Sequence, residues 1–225
     1  AGSFADTGGD AFGADDPPSG DRKAQEKMRY EDLVAEKRDK LEQYIEKLFI
    51  CNSRTNLTSF SGREELLEKG IESIFCGLPF VKGGTFVDIG SGSGIPAIPL
   101  ALCGNADQWV LLEPARLKAY FLRECASELC IPAKVIESAA EEYFSGGAEM
   151  ADGITVRGVK LRPRLMKLVR NSLKPEAPFL VWTGKEAGEY YEDELKKCRF
   201  SVVRRIEEGW GIFLAAVPCG TISGK

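Results

Sequence analysis

From residue 85 onward, short apolar runs alternate with stretches in which apolar residues recur at every third or fourth position. An unbroken apolar run predicts a strand buried on both faces, and a three-to-four-residue recurrence predicts an amphipathic helix. On this reading strands fall near 85–89, 108–113, 133–137, 152–157, 178–183, 200–206 and 210–217, and helices near 95–103, 115–129, 161–173 and 186–197. Strand and helix in alternation predict an α/β fold, a mostly parallel doubly wound sheet of seven strands with helices on both faces. The short Glu207-Glu208-Gly209 joins the last two strands as an antiparallel hairpin at the edge.

The N-terminal third reads differently. From about Arg22 to Ile50, Tyr30, Leu33, Val34, Leu41, Tyr44, Ile45, Leu48 and Phe49 recur at helical steps between charged residues, which predicts one long amphipathic helix. Polar residues from Cys51 to Thr58 are expected to break it. Ser61-Gly62-Arg63-Glu64 then matches a capping box for a second helix with Leu66, Leu67, Ile71, Ile74 and Phe75 on its apolar face. Residues 22–80 are thus expected to form a helical cap that needs the main domain, 81–225, to bury it. Residues 1–21, rich in Gly, Ala, Asp and Pro, are expected to be a disordered acidic tail.

The candidate chemistry gathers where the first strand of the sheet ends. Thr85-Phe86-Val87-Asp88-Ile89 runs into Gly90-Ser91-Gly92-Ser93-Gly94-Ile95-Pro96, a strand, a tight turn and the start of a helix. Alternate glycines permit positive φ and close approach of a ligand, because no Cβ intervenes. A dinucleotide fingerprint requires a third glycine at the sixth position, where this chain has Ile95, so the spacing argues against a nicotinamide cofactor. Asp88 is placed to meet a cationic or amino group, as in S-adenosylmethionine (SAM) pockets. Glu113, closing the second strand, is placed to take ribose hydroxyls. A bare glycine-rich turn without a ligand is the alternative. In a doubly wound sheet ligands bind at the carboxyl ends of the strands, which gathers Asp88, Gly90, Gly92, Gly94, Glu113, Ser138 to Glu141 and Arg157 around one crevice.

Composition narrows the partners. The net charge of −4 arises in the tail: the first 21 residues hold five Asp and no base, and the remainder carries 29 acids against 30 bases. A polyanion must therefore be met by a local patch. Seven scattered cysteines form no C-x-x-C pair, and with no histidine present no metal is expected. No apolar run is long enough to span a bilayer, and a soluble cytoplasmic protein, probing no membrane, is expected.

The order Asn56-Leu57-Thr58, Val87-Asp88-Ile89-Gly90-Ser91-Gly92-Ser93-Gly94-Ile95-Pro96-Ala97-Ile98-Pro99-Leu100-Ala101, Phe121-Leu122-Arg123 and Ala140-Glu141-Glu142 resembles the bacterial small-subunit ribosomal RNA methyltransferase G family, also called glucose-inhibited division protein B. The likeness runs from about Leu41 to Gly184. It implies a Rossmann-like class I methyltransferase that transfers a methyl group from SAM to N7 of a guanine in 16S ribosomal RNA, with that RNA or the small ribosomal subunit as partner; a monomer is expected. By position it implies cofactor contacts at Gly90, Ile95, Glu113, Ala140, Glu141 and Arg157. Three places depart from the family pattern: Lys69-Gly70-Ile71-Glu72-Ser73 stands for His-x-x-Asp-Ser, Leu117-Lys118 for Lys-Arg, and Thr183-Gly184 for Lys-Gly. They keep open another RNA site, a small-molecule acceptor, or a SAM-binding module without catalysis.

Guanine N7 carries an in-plane lone pair, so its methylation requires alignment more than a general base. The fourth strand ends in Val156-Arg157-Gly158, without the Asn/Asp-Pro-Pro-aromatic tetrapeptide of amine methylation. Arg157 is the candidate catalytic residue, orienting cofactor or base through its planar fork; a helix-start cation paired with a local carboxylate is the alternative. From Arg157 to Lys174 there are seven bases and no acid, and Lys160, Arg164, Lys167 and Lys174 share one predicted helical face. That stripe is the candidate RNA-binding surface, an ordinary solvated face being the alternative. The aromatic residues sit mostly in apolar runs and read as core, so no base-stacking platform is expected.

Overall fold

The computed structural model of the chain describes the backbone of residues 20–220 and the side chains of residues 35–52 and 56–220. All but the end of the expected tail lies outside the described residues. Seven strands form where the apolar runs predict them: β1 (Thr85–Ile89), β2 (Gln108–Leu112), β3 (Ala133–Ile136), β4 (Gly153–Arg157), β5 (Phe179–Thr183), β6 (Phe200–Glu208) and β7 (Gly211–Pro218). They make one sheet in the order β3-β2-β1-β4-β5-β7-β6. The first five are parallel, and β7 runs antiparallel between β5 and β6. Strand order reverses direction at β1 and β4, which is where a doubly wound sheet opens its crevice.

Side chains along a strand alternate between faces, and the sheet uses this to build two cores. Phe86, Leu111, Leu180 and Phe213 face α1 (Gly20–Thr55), α3 (Ala97–Cys103) and α4 (Arg116–Glu128). Val87, Val110, Val156, Phe179 and Val181 face α5 (Ala140–Ser145), α6 (Pro163–Ser172) and α7 (Lys185–Lys197). Leu41, Tyr44, Ile45 and Leu48 of α1 belong to the first of these cores, so the cap shares its apolar interior with the sheet. Among the described residues no helix is long and apolar enough to cross a membrane.

The N-terminal elements depart from expectation for identifiable reasons. The long helix continues past Cys51 to Thr55 and stops at Asn56, whose φ of 47° is the left-handed conformation that asparagine tolerates. Asn52 then accepts a bond from the Thr58 amide, tying down the turn. The capping box closes one residue later than read: Ser61 donates from both its amide and its hydroxyl to Glu65, not Glu64. The second helix is irregular, with α2 (Arg63–Glu65) passing into a π-helical turn, Leu66–Ile71, and then a 3₁₀ helix, Glu72–Phe80. Within it, the Lys69 and Gly70 carbonyls accept side-chain donors from Ser73 and Arg157. Helix α5 falls where only Ala140 and Phe144 are buried, too sparse an apolar pattern to announce it.

Candidate active site at the carboxyl ends of the strands

The β1–α3 turn is built from backbone that only glycine adopts cheaply. Gly90, Gly92 and Gly94 have φ of 65°, 54° and 96°. The three serve different ends. A Cβ on Gly94 would meet Ile98 at 2.6 Å and Leu122 at 3.2 Å, so this glycine lets α3 and α4 approach. A Cβ on Gly90 would meet Val159 at 2.5 Å, which brings the loop after β4 against the turn. At Gly92 the nearest atom is a backbone carbonyl 3.6 Å away, and no side chain fills the space.

Glu113, buried at the end of β2, holds this turn. One carboxylate oxygen accepts the Gly92 amide and the other the Ala115 amide, each at 2.8 Å. From the cap, the buried Tyr44 donates its hydroxyl to the Ser93 carbonyl at 2.8 Å. The turn is therefore gripped from the neighbouring strand and from α1.

Strand alternation also lines up polar residues on the cap face. Asp88 of β1 is paired in register with Thr155 of β4, and the Thr155 hydroxyl donates to Asp88 Oδ1 at 2.6 Å. Asp88 is 1% exposed and its Oδ2 has no partner among the described residues. Burial pushes its carboxyl up to about 7, against a pull in the other direction from the Thr155 hydroxyl. A deeply buried carboxylate oxygen without a donor is costly, and it is the kind of group a cationic ligand relieves.

Two residues further along β4 lies Arg157, the candidate catalytic residue. Its guanidinium donates to the Ser73 hydroxyl at 2.8 Å and to the Lys69 and Gly70 carbonyls, and it lies over the Phe60 ring. Among the described residues, neither a carboxylate nor the glycine turn is a partner of it. Burial lowers it to about 10, so it stays charged at neutral pH. Trp182, its register partner on β5, donates its indole N–H to the Ser73 carbonyl at 2.8 Å. Arg157 thus clamps the irregular helix to the sheet, and it also lines the cavity between the ends of β4 and β5; nothing local in the sequence pairs it with Ser73.

The remaining predicted residues divide. Ala140 and Glu141 begin α5, directly after β3 and one strand from Glu113, with Ala140 buried and Glu141 half-buried. Ile95 is buried in the cap-side core. Lys160, Arg164 and Lys167 are exposed along the loop and helix after β4. Lys174 lies beyond the far end of α6, ~15 Å of helix away, and pairs with Asp152 at 2.7 Å next to the start of β4. The basic stripe runs the length of the domain, and only its first part borders the crevice.

Comparison with known proteins follows the same geometry. The profile of a family described as rRNA small subunit methyltransferase G matches residues 37–208, from α1 to the end of β6. The chain belongs to this family. Among its relatives, Ribosomal RNA small subunit methyltransferase G of Anaeromyxobacter dehalogenans is 32% identical over 65% of this chain and 69% of its own length. That of Nitrosomonas eutropha is 31% identical over 61% of this chain and 64% of its own. A SAM-dependent methyltransferase from Aquifex aeolicus shares the fold, with a TM-score of 0.58 and 13% identity over 72% of this chain and 96% of that one.

The fold and family are those of SAM-dependent enzymes, and the residues present suit that cofactor. Asp88 Oδ2 offers a buried anionic oxygen to an amino or sulfonium group. The open flank of Gly92 admits a ligand to bare backbone, and Glu113 stands beside it as an acceptor for hydroxyls.

Proposed function

We propose that the chain is a SAM-dependent methyltransferase that acts on N7 of a guanine in small-subunit ribosomal RNA. The observation that carries it is the pairing of the unpartnered, buried Asp88 oxygen with the open Gly92 turn under Glu113. Asp88, Gly92 and Glu113, with Gly90 and Gly94 shaping the turn and Ala140 and Glu141 at its outer side, would hold the cofactor. When bound, SAM supplies an electrophilic methyl on a positively charged sulfur. N7 accepts it with its own lone pair and loses no proton, so the residues need only orient the two reactants and exclude water.

Orientation falls to rigid groups. Tyr44 and Glu113 fix the turn from two sides. Arg157 fixes the cap over the ends of β4 and β5. The exposed Lys160, Arg164 and Lys167 supply phosphate contacts on the β4 side, where RNA approaches. Small-subunit particles from cells lacking the gene, incubated with the protein and labelled SAM, test the reading. Label in 16S RNA, mapped to one guanine by borohydride reduction and strand scission at 7-methylguanosine, supports it. Label elsewhere, or none while a small molecule is methylated, overturns the choice of acceptor.

A further inference from the structure

Next to the cofactor turn, between the carboxyl ends of β4 and β5, the fold encloses a cavity of about 160 Å³. Gly158 and Val159 form one wall and Thr183 and Gly184 the opposite one, with Arg157 and Trp182 at the strand ends, Tyr191 of α7 and Trp210 of the hairpin also lining it. We infer that this cavity receives the target purine, extruded from the RNA, with Trp210 as the aromatic surface against which it stacks. The inference deepens the RNA-methyltransferase reading and rests on it.

Size, neighbours and surface each point the same way. Pockets for whole cofactors or drug-sized ligands run to about 300–1,000 Å³, so 160 Å³ is too small for a nucleoside carrying an amino-acid tail and suits one planar ring system. The site is also set off from Asp88 and Glu113, yet shares a wall with their turn. Val159 lines the cavity and is also the side chain that a Cβ on Gly90 would strike at 2.5 Å. A ring held there lies one residue's thickness from the cofactor turn.

The walls leave an entrance and keep their shape. Neither Gly158 nor Gly184 has any atom within 4 Å of the place a Cβ would take, so both open toward solvent. Tyr191 donates its hydroxyl to the Val159 carbonyl at 3.2 Å, which fixes the β4 loop against α7. Lys160 and Arg162 follow that wall directly and are exposed, where the backbone of an RNA delivering its base would pass.

Of the chain's tryptophans, Trp109 and Trp182 are 1% and 2% exposed and belong to the core. Trp210 alone is half-buried, at the tip between β6 and β7 and outside the family-matched residues. Base stacking on an aromatic side chain is sequence-tolerant and strong enough to hold an unstacked base. Trp210 packs against the cap-side core and also lines the cavity.

The test compares wild type, Trp210→Ala and Trp210→Phe as full chains. Steady-state methylation of small-subunit particles is measured beside calorimetric binding of S-adenosylhomocysteine and thermal melting. Trp210→Ala is expected to lower kcat/KM for the particle by roughly 10- to 100-fold, with cofactor affinity unchanged, and Trp210→Phe to recover most of it. Unaltered turnover in Trp210→Ala overturns the inference while leaving the methyltransferase reading standing. A parallel loss of S-adenosylhomocysteine affinity also overturns it, because the cavity would then belong to the cofactor. Loss of melting temperature with no recovery in Trp210→Phe assigns Trp210 to packing and overturns it too. Failure of the wild type to methylate any RNA removes both readings together.

Discussion

Glu113 accepts the Gly92 amide at 2.8 Å, joining the end of β2 to the glycine turn after β1. The same carboxylate accepts the Ala115 amide with its other oxygen, so both oxygens serve as acceptors. A carboxamide can accept at only one. Glu113→Gln is expected to leave one backbone amide without its partner and to cost about 1.5–3 kcal/mol in turn geometry. S-adenosylhomocysteine affinity, measured by calorimetry, should fall at least tenfold, with a smaller drop in melting temperature. Affinity equal to wild type would show that Glu113 merely closes the strand.

Asp88 predicts a pH dependence of opposite sign for folding and for binding. Its carboxyl, raised to about 7 by burial, binds a proton in the folded state at pH values where the unfolded chain has released it. The folded protein alone is therefore favoured by Asp88 at acidic pH, and this contribution is lost as pH rises through about 7. Binding of a cationic cofactor needs the charged form, so affinity should rise between pH 6 and 8. Asp88→Asn should flatten both profiles and weaken binding at pH 8. Melting from pH 4 to 8 and calorimetry from pH 6 to 8 check it, and a wild-type affinity that falls with rising pH would contradict it.

Arg157 holds three acceptors on the irregular helix: the Lys69 and Gly70 carbonyls and the Ser73 hydroxyl. Arg157→Ala should destabilise the protein by roughly 2–4 kcal/mol, since it leaves those acceptors without their charged donor and removes buried side-chain volume. Arg157→Lys should recover little, because one ammonium cannot span the fork. Denaturant unfolding checks this. A normal melt with lost turnover would assign Arg157 a direct catalytic role instead.

Much of this was legible in the chain. Apolar runs marked all seven strands to within a residue or two, the inner parallel ones most plainly because a strand buried on both faces has little freedom of composition. Asp88, the glycines and Glu113 were legible because their roles follow from backbone geometry at the strand ends. The clamp was not. Arg157 and Ser73 are 84 residues apart, and the bond between them depends on the cap docking on the sheet face where β4 alternation points Arg157. Trp210 was hidden for the same reason: its run of apolar neighbours reads as strand, and only the hairpin's placement beside β5 turns it toward a cavity. Helix α5 is short and half-polar, and it forms because Ala140 and Phe144 find the second core.

The exposed bases after β4 predict a salt-dependent RNA interaction. Replacing Lys160, Arg164 and Lys167 singly by Ala should each reduce the slope of log affinity against log salt by roughly 0.7–0.9. Lys174→Ala, at the far end and paired with Asp152, should change it less. Filter binding of small-subunit RNA from 50 to 200 mM salt reads the difference, and equal effects from all four would mean that RNA tracks the whole stripe.

The most direct measurement is calorimetric titration of the full chain with S-adenosylhomocysteine and, separately, with NAD. Saturable heat with S-adenosylhomocysteine, none with NAD, and loss of that heat in Gly92→Val, whose side chain would fill the open flank of the turn, are the results predicted. Heat with NAD and none with S-adenosylhomocysteine, or binding undiminished in Gly92→Val, would contradict the assignment of this crevice to a methyl donor.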